Sequence, residues 1–454
     1  SAIIVVDWNV ARKGDVITDD ERIRASMPTL KKAIGQLPCK YFFILTHSGR
    51  PEGKGYEQGL SLEPIVERAR QLLKEEGLEV EIILLPYDLI EAENRIAEVK
   101  QAYSDKKIVF VLENIRFYAQ ERSKDAQLRR EFEETLIRLT GTTKDNLLYI
   151  NEAFDKCHRG QEASMELVWL IPAENRAAGL SLQEEIIKLI EFEQRLTGCL
   201  SALFGGAKFD KYSNIGELAN RVRESGGRII LVGALVNPYL ASKGTQVGSS
   251  KMPKEKELKD VEKGLKKVDE SKVEIIYPED FIVKGEEAPQ TALSQEMSQV
   301  DIGPQTIQKL RQIIQSLKEG DAFILNGGAG IFENPESREG TRQLILAAEQ
   351  AAERGVVVFA AGGDMNAAIG IIEQELGRPI SEKIIRSTGG GVLLTALAKG
   401  LMNLSPIAAL VVKGSEEAKS DPARTSKNQN ATALGSIIAS VVSLVAGFAA
   451  WKLI

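Results

Sequence analysis

Cysteine is scarce in this 454-residue chain, which holds only Cys39, Cys157 and Cys199. Three scattered thiols exclude a disulfide framework and a C-x-x-C metal site, and they fit a reducing compartment. Basic excess is missing as well. Against 58 Lys and Arg stand 64 Asp and Glu, a net charge of −6. That balance argues against nucleic acid as the main partner, because binding a phosphate backbone wants a basic face. No signal peptide opens the chain: SAIIVVD already reads as a strand, so the natural start is expected upstream or a targeting segment has been removed.

Charge is absent altogether from ATALGSIIASVVSLVAGFAAW, residues 431–451. A helix needs about 20 apolar residues to cross a hydrocarbon core of roughly 30 Å, so 431–452 is expected to be a transmembrane helix. Trp451 and Lys452 suit the interface of that bilayer. Ser436, Ala439, Ser440, Ser443 and Gly447 offer small residues at helical spacing, which points to a membrane-protein partner. The preceding stretch, 412–430, contains Pro422 and lacks any apolar period, so it reads as a polar tether. Mitochondrial, plastid and glycosome-like membranes all remain compatible with such an anchor.

What is present in the body is an alternation of strands and helices, with 43% hydrophobic and 27% charged residues, enough for at least two cored domains. Residues 2–8, 40–47, 80–86, 106–113 and 146–153 read as strands of a first parallel sheet, with 59–77 and 121–140 helical. A second set follows at 200–206, 228–235, 273–278, 321–327 and 356–363, interleaved with helices such as 304–318 and 339–354. SLQEEIIKLIEFEQRL at 181–196 has apolar residues at helical spacing and is expected to join two lobes. The fold class is therefore α/β, two Rossmann-like lobes with parallel sheets, plus the C-terminal transmembrane helix. The expected division is 1–178, with 393–411 packing back on it, and 179–392.

The first half supplies cations. Arg22, Arg50, Arg116 and Arg159 lie in or just after strand-end or turn motifs, where side chains converge at the carboxyl edge of a parallel sheet. Guanidinium groups hold phosphate and carboxylate oxygens bidentately, so the set suits a small ligand carrying both. Both histidines, His47 and His158, are in this half. The second half supplies glycine turns, with Lys208 after two glycines at one strand end and Asp364 after two at another. A lysine there can follow a moving phosphoryl group, and a carboxylate there can hold Mg²⁺ against nucleotide phosphates.

Nine motifs run in one order: VVDWNV at 5–10, THSGRP at 46–51, LENIRF at 112–117, HRG at 158–160, GGAKFDK at 205–211, DIGPQTI at 301–307, NGGAGIFE at 326–333, AGGD at 361–364 and STGGG at 387–391. In order and spacing, from about residue 2 to about residue 410, the chain resembles phosphoglycerate kinases. The resemblance implies a 3-phosphoglycerate site made by Asp7, Asn9, Arg22, His47, Arg50, Arg116 and Arg159. It implies that Lys208 and Arg22 contact the transferred group. For the nucleotide it implies Lys211, Asn326, Glu333, Gly362, Gly363, Asp364, Gly389, Gly390 and Gly391, with Asp364 on Mg²⁺. The activity implied is direct, reversible in-line transfer between 1,3-bisphosphoglycerate and MgADP, or ATP and 3-phosphoglycerate in reverse, with hinge closure bringing the two substrates together.

The departures from the family pattern are uneven. Ala11 replaces a proline and Gln161 a second histidine in the first half. In the second half Gly328 replaces a proline, Ala361 a glycine and Met365 a hydroxyl residue, and VGALV at 232–236 stands where more glycine is expected. GGAKFDK is also one residue short, which blurs the correspondence of Lys211 with the family's second lysine. A second expectation therefore stands beside the active enzyme: a kinase-derived structural subunit of a membrane complex with weakened or lost catalysis.

Overall fold

The computed structural model describes residues 1–51, 53–159 and 161–411. They form two compact units, 1–186 with 401–411, and Ile187–Gly400. The first division falls inside the helix Leu180–Arg195. At the second, Gly400 ends the helix Gly391–Lys399 with a φ of 89°, a conformation open to glycine and costly for other residues. The anchor and tether expected at 412–452 lie outside the described residues; among those described, no helix is long and apolar enough to cross a membrane.

The first unit is built on a six-stranded parallel sheet in the order Glu81–Leu84, Ile108–Val111, Tyr41–Leu45, Ala2–Val5, Leu148–Asn151, Arg176–Ala178. AIIV and IVFV are buried at every position, the signature of a sheet covered on both faces. Helices Glu21–Gln36 and Glu63–Glu75 press Ile23, Met27, Leu30, Ile65 and Leu72 onto one face with Trp8. The segment 401–411 belongs to this unit: Trp169 Nε1 donates to Ser405 Oγ (3.0 Å), and Arg176 Nη1 donates to the Ala409 carbonyl (2.9 Å).

The second unit repeats the plan in the order Glu274–Ile276, Arg228–Leu231, Leu200–Phe204, Ala322–Asn326, Val357–Ala361, Ile385–Ser387, again parallel throughout. Its core gathers Phe323, Leu325, Leu344, Ile345 and Ile369.

Strand order decides where ligands can sit. In such sheets the crevice opens at the carboxyl ends of the two strands where the winding direction reverses. In the first sheet those are Ala2–Val5 and Leu148–Asn151, leading into Asp7, Asn9 and the 153–159 segment. In the second they are Leu200–Phe204 and Ala322–Asn326, leading into Gly205–Lys208 and Gly327–Gly330. The motifs therefore sit where the topology makes room.

Candidate active site

In the first unit the cations converge around one buried carboxylate. Glu162 lies 3.0 Å from Arg116 Nη2, 3.3 Å from Lys156 Nζ, 3.7 Å from Arg122 Nε and 4.0 Å from Arg159 Nη1. Burial alone would raise its carboxyl, but Lys156, Arg116 and Arg159 outweigh burial and hold it far below the ordinary range. One anion facing four cations leaves a strong positive field, and an incoming anion can answer it.

His47 sits inside that field. It is buried, its Nδ1 has no hydrogen-bond partner, and burial together with Arg116, Lys156, Arg159 and Arg22 pushes its imidazole well below its usual pKa. It is therefore a neutral ring with an unused polar atom. Arg116 is also buried, with Nη1 donating to the Gly49 carbonyl (3.2 Å) and Nε left unpaired. The Gly49 N–H donates in turn to Asn9 Oδ1 (2.8 Å), which ties the VVDWNV and THSGRP turns together.

Arg22 is the second residue of the helix Glu21–Gln36 and is held between two carboxylates, Asp7 and Asp155, the latter at 2.7 Å. Arg159 is exposed beside Glu162, and its charge is felt by His47, Arg116 and Asp155. Six of the seven residues singled out in the first half thus share one network: Asp7, Asn9, Arg22, His47, Arg116 and Arg159. Arg50 is exposed next to Gly49 and makes no ion pair among the described residues.

Sequence reasoning missed the floor of this network. Lys156 is fully buried, 3.0 Å from Ser164 Oγ and near Glu121 and Glu162, while Ser164 Oγ donates to Glu121 (2.6 Å). Burial raises the Glu121 carboxyl against the pull of Lys156. The only signal was the pair of charges, Asp155 and Lys156, placed directly between an apolar strand and HRG.

In the second unit, Lys208 and Asp364 form an ion pair at 2.8 Å, with the lysine largely exposed. Asp364 lies in the first turn of the helix Gly363–Leu376, whose cap is Gly362 at a φ of 90°. Lys211, first residue of the helix Lys211–Glu224, points inward: its Nζ donates to the carbonyls of Gly205 and Asn326, both at 3.1 Å. Burial brings its amine down to about 8, opposed by the nearby Asp364 and assisted by Lys208. The buried Asn326 donates Nδ2 to the Ala361 carbonyl (3.0 Å) and leaves Oδ1 without a partner.

The glycines let these turns touch through their backbones. A Cβ on Gly205 would lie 2.2 Å from the Gly328 carbonyl oxygen, so no side chain fits there. Gly233 supplies a glycine within VGALV, packed on Gly206 and Gly328. Gly389 donates its N–H to Ser387 Oγ (3.1 Å), and Gly390 and Gly391 open the helix Gly391–Lys399. Glu333 is exposed, its backbone carbonyl held by Arg338 (2.9 Å). Two departures are absorbed structurally: Ala361 ends its strand buried, and Met365 turns into the core with Ala368 and Ile369.

Among the described residues no three His, Cys, Asp or Glu side chains gather to hold a metal. Asp364 offers a carboxylate beside the glycine turns, which fits Mg²⁺, an ion that keeps its waters and is bound by one or two carboxylates plus substrate phosphates. Asn326 Oδ1 and Lys208 are further polar groups for such a ligand.

Comparison with known proteins agrees with this geometry. The family model described as phosphoglycerate kinase matches residues 1–399. A phosphoglycerate kinase of Tropheryma whipplei is 31% identical over 399 residues, 86% of this chain and 93% of that one. One from Dictyoglomus turgidum is 33% identical over 411 residues, covering 87% and 92%. The crystal structure of phosphoglycerate kinase from Pyrococcus horikoshii superimposes with a TM-score of 0.66 at 27% identity, covering 90% of this chain and 95% of that one. The structure of phosphoglycerate kinase from Coxiella burnetii gives 0.60 at 25%, with the same coverage. With its motifs in order, two parallel sheets and a family match over residues 1–399, the chain belongs to the phosphoglycerate kinase family.

Proposed function

We propose that this chain moves a phosphoryl group between the acyl phosphate of 1,3-bisphosphoglycerate and ADP, and in reverse from ATP to 3-phosphoglycerate. The observation that carries the reading is the buried Glu162 facing four cations beside a neutral His47 whose Nδ1 has no hydrogen-bond partner. A field already assembled for an anion costs little to reorganise when substrate arrives.

In this reading Arg50, Arg116, Arg159 and His47, with Asp7 and Asn9, bind and orient the phosphoglycerate. Lys211, Asn326, Glu333, the 362–364 turn and the 389–391 turn seat the nucleotide. Transfer breaks the bond between phosphorus and the carboxyl oxygen and forms one to the terminal oxygen of ADP, with no covalent enzyme intermediate. Lys208 and Arg22 stabilise the charge on the equatorial oxygens as it shifts, and positioning with electrostatics accounts for most of such catalysis. Mg²⁺ held through Asp364 would neutralise phosphate charge when the nucleotide is bound.

Tethering to a lipid bilayer through 431–452, and a membrane-protein partner, are proposed from the charge-free run 431–451. Flotation of the full chain with phosphatidylcholine vesicles, and loss of flotation when it is shortened to residue 411, is the expected result.

A coupled assay with MgATP and 3-phosphoglycerate tests the activity. Turnover that Lys208→Ala abolishes supports the enzyme. No turnover, with no nucleotide binding by calorimetry, overturns it in favour of a structural subunit derived from a kinase.

A further inference from the structure

Arg22 is bracketed. One edge of its guanidinium meets Asp7 and the other meets Asp155, whose Oδ2 lies 2.7 Å from Nη2, while 42% of the side chain stays open to solvent. The two carboxylates come from different places: Asp7 follows the strand Ala2–Val5, and Asp155 sits in the turn Phe154–Lys156 after the strand Leu148–Asn151. Asp7 already has a proposed duty toward the phosphoglycerate. Asp155 is the second carboxylate on the arginine, and it carries no such duty.

We propose that Asp155 is a positioning residue for Arg22, fixing the guanidinium so that its remaining N–H groups face the transferring phosphoryl group. The inference rests on the phosphoryl-transfer reading above. A close carboxylate contact restrains a long side chain that would otherwise sample many rotamers, and a guanidinium left free would meet the phosphoryl group in fewer encounters. Arg22 has no comparable anchor close by in sequence, where Asp19, just before the helix, and Glu21, its first residue, act only through their charge.

The same position makes the contact sensitive to pH. Asp155 faces Arg22 from the helix Glu21–Gln36, Asp7 from the end of the first strand, Glu185 from the helix Leu180–Arg195 and Arg159 from its own segment. Burial, Asp7 and Glu185 raise its carboxyl to about 6, against the pull of Arg22 and Arg159. Protonation below that point removes the negative charge and loosens Arg22, so kcat should fall on the acid side.

The test compares the native chain with Asp155→Asn and Asp155→Glu in the coupled assay, with Arg22→Lys and the double variant completing a cycle. Asp155→Asn is expected to lower kcat about tenfold, as loss of a charge-assisted contact would, while KM for 3-phosphoglycerate changes by less than about twofold. It should also erase the acid limb centred near pH 6, with Asp155→Glu restoring part of kcat and of the limb. In the Arg22→Lys background the substitution should do nothing further. Equal kcat in native and Asp155→Asn enzyme, or an equal loss in the Arg22→Lys background, overturns this inference alone. No turnover by the native chain overturns the proposed function and this inference together. Should Asp155→Asn fail to fold, the acid limb read on Asp155→Glu decides: an unshifted limb overturns the proposal.

Discussion

The Lys208 ammonium lies 2.8 Å from the Asp364 carboxylate, joining the turn after one central strand of the second sheet to the first turn of the helix Gly363–Leu376. Both partners keep substantial exposure, so the pair is screened by water and contributes little to stability. Its value lies in where it can open. An incoming magnesium nucleotide would draw the carboxylate to the metal and leave the ammonium for phosphate oxygens.

From that arrangement Lys208→Ala should lower kcat by about a hundredfold or more, the range for removing one donor to developing charge, with the melting temperature nearly unchanged. Asp364→Asn should instead raise the Mg²⁺ concentration needed for half-maximal rate. Rates over a Mg²⁺ titration, with melts on the same samples, separate the two. An Asp364→Asn enzyme with native Mg²⁺ dependence would remove this residue from the metal.

His47 makes a prediction in the other unit. Its folded pKa is held well below 6.5 by burial and four surrounding cations, so the folded chain refuses a proton that the unfolded chain accepts. The stability due to the neutral ring is present above about pH 6.5 and is lost as pH falls, by up to ~1.4 kcal/mol per pH unit. Urea melts between about pH 7 and about pH 5 should therefore show the native chain losing stability relative to His47→Gln at close to that slope. Parallel curves for the two proteins would mean that His47 titrates normally.

Much of this was legible in the chain because a parallel sheet writes itself in long apolar runs. YFFIL and AFILN are buried strands that look like strands. The glycine motifs were legible for a related reason, since close backbone approach leaves no alternative to glycine at Gly205. The helix Glu21–Gln36, which carries Arg22, does not show in the sequence, because Pro28 sits inside it and its pattern is mostly polar. The edge strands Arg176–Ala178 and Ile385–Ser387 are three residues each and contain an arginine, too short for alternation to show. Lys156 and Glu162 were illegible for a deeper reason: two charges six residues apart read as solvated surface, and only tertiary packing reveals that they are buried together.

That buried pair has a stability cost when broken. Lys156→Met leaves Glu162 buried with one cation fewer and Glu121 with none within ion-pair distance among the described residues. The expected destabilisation is about 3 kcal/mol, the lower range for removing one partner of a buried ion pair. Adding Glu121→Gln should recover part of it, because the uncompensated carboxyl is then gone. Denaturant midpoints of the single and double variants measure both, and a Lys156→Met protein as stable as the native chain would deny the network any structural weight.

Gly327 carries the last prediction. Its φ is 101°, and a Cβ there would stand 2.4 Å from the Gly205 carbonyl oxygen and 2.8 Å from Lys211 Nζ. Gly327→Ala therefore strains the backbone and pushes apart two turns that meet only because both are glycine. Strain of this kind costs about 1–3 kcal/mol. It also displaces Lys211, whose amine is pinned between the Gly205 and Asn326 carbonyls. The variant should lose stability and bind MgADP more weakly by calorimetry, while phosphoglycerate binding to the first unit stays native. Gly363→Ala is the control in the neighbouring turn, where an added Cβ meets nothing within 4 Å. If both variants lose stability equally, the close approach of the two turns is not what glycine at 327 is there to permit.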